Sequence, residues 1–180
     1  DTFNRVTSTA EGLGVSDSGH QWTTLDGSFY IPASTKLATP SSSSGGIASV
    51  DIGGLQDGFT VHALLRSSRG TGKSHGVLIA WVDSQNYIVG RLTPSALVIR
   101  RIVGGNSTDV ASISTAGSIT NDSSWDWLSL RVLNVWDAEI ADRIILSIGP
   151  LAVLYELDKD PYVELFKGHI MPGIVFVHGT

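Results

Sequence analysis

The chain has 180 residues, a formal net charge of −5, 42% apolar and 16% charged residues, and no cysteine. That length and apolar content suit one domain, spanning 1–180, with a substantial core, and exclude a disordered chain, a disulfide framework or a thiolate site. The acidic balance argues against nucleic acid as a partner, because phosphate binding needs clustered Lys and Arg, and the longest wholly apolar run, Val77 to Val82, is far short of the roughly 20 residues that cross a bilayer.

With so little charge, polarity must come from elsewhere: 23 Ser, 14 Thr and 20 Gly make up 57 of the 180 residues, a balance that favours strands and turns over helices. Taken in chain order, short β-branched runs predict strands at Thr2 to Val6, Gln21 to Thr24, Ser28 to Ile31, Lys36 to Thr39, Ile47 to Ile52, Phe59 to Arg66 and Gly76 to Val82. They continue at Tyr87 to Thr93, Ala96 to Val103, Thr108 to Ser114, Trp127 to Trp136, Glu139 to Ser147, Leu151 to Glu156 and Gly173 to His178. The low-complexity run Pro40 to Gly46 reads as a surface loop, and Asp83-Ser84-Gln85-Asn86 and Gly104-Gly105-Asn106 read as hairpin connections. For Asp160 to Gly168, with Pro161 suited to a first turn, a short helix and an ordered loop are both open.

Strands Val77 to Val82, Ala96 to Val103 and Trp127 to Trp136 carry apolar residues at both alternating positions, so both of their faces are at least partly covered. Two packed antiparallel sheets meet that demand, an all-β sandwich of the jelly-roll kind. In such a fold the chain ends commonly pair, which places Phe3 and Val6 near Ile174 and Phe176, with Gly12 to Gly19 carrying the chain across and Trp22 plugging the core.

Several apparent motifs dissolve on inspection. Gly72-Lys73-Ser74 ends like a phosphate-binding loop, but Ser67 stands where the first Gly of that motif belongs, and a β-rich run follows instead of a helix. Asp137, Glu139 and Asp142 invite comparison with the carboxylate pair of sandwich-fold glycoside hydrolases; on a regular strand Asp142 would face away from the other two, and Asp137-Ala138 reads as a turn. The five His residues have no metal-ligand spacing, and Asp158 with Asp160 falls short of a calcium ligand set. No Gly-x-Ser-x-Gly elbow occurs. The sequence therefore predicts no catalytic residue, metal or cofactor.

The aromatic residues carry the remaining signal. Trp81 and Trp127, inside dense apolar runs, read as core; Trp22 and Trp125, beside polar neighbours, are candidates for exposure. An exposed ring on a β-scaffold can stack on the apolar face of a sugar while Arg, Asn and Asp bind its hydroxyls, or it can anchor a protein interface. The candidate ligand contacts are Trp22, Tyr87, Arg91, Arg101 and Trp125.

Asp1-Thr-Phe-Asn-Arg5 and Gly14-Val-Ser-Asp17-Ser-Gly19-His-Gln-Trp22 resemble the entry of a concanavalin A-like (laminin-G-like) jelly-roll module of minor tail proteins from phages that infect actinobacteria. Asn86-Tyr-Ile-Val-Gly-Arg91-Leu, Leu97 to Gly105, Leu128-Ser-Leu-Arg131-Val and Pro172 to Phe176 resemble its later strands in order. Trp136-Asp-Ala-Glu139 and the long segment Leu157 to Gly168 depart from it. The resemblance implies a two-sheet antiparallel jelly roll without enzymatic activity, on the surface of a virion and in the host cytoplasm during assembly. It implies glycans of the host envelope as the ligand, with homo-oligomers on the particle compatible with that role. A structural or decoration protein that binds other capsid or tail proteins is the alternative, and a glycoside hydrolase a remote one.

Overall fold

A computed structural model describes residues 6–8, 12–34, 38–41, 45–50, 58–66, 74–93, 95–115, 125–133 and 143–177, with backbone alone at 58, 59, 65, 66, 74, 125, 126, 176 and 177. The strands are β1 Trp22–Gly27, β2 Phe29–Tyr30, β3 Thr39–Pro40, β4 Gly45–Val50, β5 Gly58–Arg66, β6 Ser74–Asp83 and β7 Asn86–Leu92. They continue with β8 Ala96–Val103, β9 Asn106–Ser114, β10 Trp125–Leu133, β11 Arg143–Ile148, β12 Leu151–Glu156 and β13 Ile170–Val177. A 3₁₀ turn, Leu157–Lys159, and one helical turn, α1 Val163–Phe166, intervene before β13, so the segment left open between helix and loop is divided between the two.

Seven strands form one antiparallel sheet in the order β1-β4-β13-β6-β7-β8-β9, and four form the second in the order β12-β11-β10-β5. Side chains from the facing sides of the two sheets make the main core: Val77, Ile79, Ile88, Leu97 and Ile99 from the first meet Leu128, Leu130, Ile144 and Leu146 from the second, all fully buried. At the closest approach a side chain is missing. A Cβ on Gly90 would stand 2.7 Å from Leu146 Cδ1, so glycine lets the leucine seat against the β7 backbone.

None of the buried residues of the main core comes from β1, β4 or β13. There the inner face is covered by the N-terminal segment and the β2–β3 ribbon, through a second cluster of Leu13, Phe29, Ile31 and Ala48, against which Trp22 and Ile174 pack. Val6 does not join Ile174 as expected: it is 55% exposed, and Thr7 forms its bridge with Ile31 instead. The last strand is already hydrogen-bonded on both edges, by β4 and β6, which leaves no edge there for the beginning of the chain. Phe3 lies outside the described residues.

Two turns fix the β6–β9 meander. Gly104 and Gly105 have φ of 56° and 77°, the left-handed pair of a two-residue hairpin, which closes Val103 against Asn106. The other turn is held by Asp83 Oδ1, which accepts from Gln85 N at 2.7 Å and Asn86 Nδ2 at 2.9 Å. Gly104 N in turn donates to Asn86 Oδ1 at 3.0 Å, and Gly105 N to the Gln85 carbonyl at 3.0 Å, which ties the two tips together.

Candidate functional site

The outer face of the seven-stranded sheet is where polar chemistry collects. Strand alternation and register set out three cross-strand rows there. One runs Ser49, Gly173, Leu78, Val89, Arg100, Asp109; the next runs Asp26, Ile47, Val175, Gly76, Arg91, Val98, Ser112; the third runs Trp81, Tyr87, Ile102, Ser107. Ile47, Leu78, Val89, Ile102 and Val175 are buried and form a cluster with Leu25, Trp81, Tyr87 and Met171, every member drawn from the sheet's own strands. The face thus has an apolar floor without a described layer packed on it.

Burial first, and next the charge of Asp26, raise the Tyr87 phenol on this face above its ordinary value of 10.0.

Three features give it binding chemistry. Trp81 and Tyr87 lie side by side with ring centroids 5.4 Å apart and planes tilted by 32°. Arg100 grips Asp109 with two bonds, Nε to Oδ1 at 2.5 Å and Nη2 to Oδ2 at 3.0 Å, and this pairing holds the Asp109 carboxyl below the usual carboxylate range. Arg91, 7% exposed, sits between Gly76 and Val98 in its row. Burial, and next the Arg100 charge, depress Arg91 below the ordinary arginine value.

Of the residues singled out from the sequence, the structure brings together Tyr87 and Arg91, four residues apart on one strand and on one face. Trp22 and Arg101 are elsewhere. Trp22 packs on the inner-face cluster under the N-terminal segment. Arg101 takes the parity opposite to Arg100 and points inward, to a cluster in which Asp160 accepts from both the Arg101 guanidinium and the Tyr155 hydroxyl, while the guanidinium lies 4.6 Å from the Tyr162 ring centre. Asp160 is buried there and also accepts from Tyr162 N at 2.8 Å, so its carboxylate is committed to holding the 3₁₀ turn and α1 against the sandwich. Trp125 heads β10 opposite Arg66, with its side chain outside the described residues, as are Asp137, Glu139, Asp142 and the stretch 67–73.

The sequence reading missed Arg100, Asp109 and Asp26. A signal for the first two was present: counting outward from the two-residue turn at Gly104-Gly105 pairs Arg100 with Asp109 directly. It also placed Trp127 in the core, whereas the ring is 61% exposed on the outer face of the four-stranded sheet. Parity would have corrected this, since Trp127 alternates with Leu128, Leu130 and Val132, which are buried, and shares its face with Ser129 and Arg131.

No protein-family model and no curated protein matches the chain. Among solved structures it is similar to the carbohydrate-binding module CBM66 from Bacillus subtilis, with a TM-score of 0.58 and 15% identity over 88% of this chain and 93% of that one. The fold is a concanavalin A-like jelly roll. Chicken galectin 2 is a more distant likeness, with a TM-score of 0.45 and 8% identity over 69% of this chain and 84% of that one.

Proposed function

We propose that this jelly roll is a non-catalytic binding module that takes carbohydrate on the outer face of its seven-stranded sheet. The observation that carries the reading is the grouping of Tyr87 and Trp81 with Arg91 and the Arg100–Asp109 pair over an apolar floor of the sheet's own side chains. A stacking ring beside planar, bidentate donors suits the alternating apolar and hydroxyl surfaces of a sugar. The fold shared with a module whose name states carbohydrate binding supports the same reading. Placement on a phage particle, with host-envelope glycan as the ligand, rests on the resemblance of the N-terminal and later strand sequences to tail-protein modules. Many copies on one particle would add avidity to weak single sites.

A glycan array followed by calorimetry tests the site. Tyr87→Ala and Arg91→Ala should each weaken the best ligand by about tenfold or more, as expected for a buried contact at the centre of a site. Arg91→Lys, which keeps the charge and most of the packing, controls for folding and should still lose the bidentate contribution. Unchanged affinity in all three variants removes the face from consideration, and release of reducing sugar from any bound glycan would replace binding by hydrolysis. Antibody labelling of intact particles checks the virion placement; a stable complex with capsid or tail protein and no glycan binding would favour the decoration role.

A further inference from the structure

The opposite outer surface, that of the four-stranded sheet, also carries rows. Leu64 stands beside Trp127; His62, Ser129, Ser147 and Ala152 form the next row; Thr60, Arg131, Ile145 and Leu154 the next; Leu133, Arg143 and Glu156 the last. Trp127 at 61% and Leu64 at 43% are exposed, and Trp125 takes the position two residues before Trp127 on the same strand. Among the described residues of this face the charges are Arg131 and Arg143, both exposed, and Glu156, half-buried, whose carboxylate is held by Lys159 Nζ at 2.6 Å. In a chain of net charge −5, the described part of this face has a cationic excess, with Arg131 about 13 Å along β10 from the exposed indole and Arg143, level with Leu133, about 20 Å along.

From this we infer that Trp127 is the stacking platform of a second, separate site that takes an acidic carbohydrate, with Arg131 and Arg143 meeting its anionic groups. A protein partner fits less well. A stable protein interface buries roughly 800 Å² per side around a continuous apolar centre, whereas here the Leu64–Trp127 pair is separated from Leu154 by a full row of His, Ser and Ala and by one strand, β11. An extended acidic oligosaccharide needs one ring and donors spaced along its length, which is what the rows supply. The inference shares with the proposed function only the premise that the ligand is carbohydrate; the residues and the face are different.

The test uses the full chain in affinity electrophoresis through gels containing polygalacturonate, a phosphate-bearing mannan, or neutral dextran, the first two separating carboxylate from phosphate as the recognised anion. Trp127→Ala should weaken retardation by the acidic polymers about tenfold or more. Trp127→Tyr should recover most of it, Arg131→Ser should weaken it and flatten its salt dependence, and Arg91→Ala should leave it unchanged. Trp127 is exposed, so its variants should keep the wild-type thermal midpoint. Retardation lost in Arg91→Ala and kept in Trp127→Ala overturns this site while sparing the seven-stranded face. Absence of retardation in both acidic gels, or a wild-type dimer in light scattering that Trp127→Ala dissociates, also overturns it, the latter in favour of self-association.

Discussion

At the scale of single residues, the charged positions divide by which side of a strand they occupy. Arg100 and Arg101 are neighbours in sequence, yet one belongs to the outer face and the other to a buried anchor. Removing one partner of a buried, hydrogen-bonded ion pair strands the other, so Asp160→Ala should cost about 3–5 kcal/mol. Urea unfolding measures it, and a loss below about 1 kcal/mol would show that the anchor holds nothing. Tyr155 gives a second, pH-dependent expectation. Burial first, and next its bond to Asp160, raise the Tyr155 phenol well above its ordinary 10.0. An acid whose folded value is raised favours folding fully below the unfolded value, and that contribution is lost as pH climbs past 10. The thermal midpoint of the wild type should therefore fall more steeply above pH 10 than that of Tyr155→Phe; parallel curves would refute the linkage. Composition could not tell Arg100 from Arg101, because β8 is apolar on both sides and its pattern does not say which side is inward.

At the scale of elements, the strands were legible and their partners were not. Ala96–Val103 and Leu151–Glu156 match the expectation residue for residue, and most others differ by a few positions at the ends, since β-branched runs bounded by Gly, Asn and Asp leave little choice. Pairing between distant strands carries no local signal, so the seat of β13 between β4 and β6 could not be read. Glycines mark where the pairing is tightest. A Cβ on Gly76 would stand 1.9 Å from the Gly90 carbonyl oxygen, a backbone atom that cannot swing aside, so Gly76→Ala must part β6 from β7. Gly149, in the β11–β12 turn, meets nothing within 4 Å, but its φ of 52° is left-handed. We expect Gly76→Ala to cost more than about 3 kcal/mol and Gly149→Asn less than about 1 kcal/mol, because Asn tolerates that backbone. Differential scanning calorimetry of the pair decides, and equal losses would mean that the close approach at Gly76 relaxes.

At the scale of the molecule, the arrangement is a two-layer body with a different chemistry on each outward side. The outer side of the seven-stranded sheet has a buried guanidinium and an aromatic pair; the other side has an exposed indole with two arginines further along it. The main core lies between them, so effects on stability should be separable. Arg91→Ala and Trp127→Ala should combine additively in urea unfolding to within about 0.5 kcal/mol, as sites without shared partners do; a larger coupling would mean that the layers transmit strain. The two-layer architecture was readable from strands apolar at both parities. The cover over the inner face of β1, β4 and β13 was not, because it depends on how Leu13, Phe29 and Ile31 meet Ala48 across segments far apart in sequence.

The open turn at Gly149-Pro150 has a practical corollary. It projects from the end of the β11–β12 hairpin, and the space around Gly149 is empty. A short biotinylated peptide grafted between these two residues would tether the protein to a sensor surface by its rim, leaving both broad flanks facing the flowing solution.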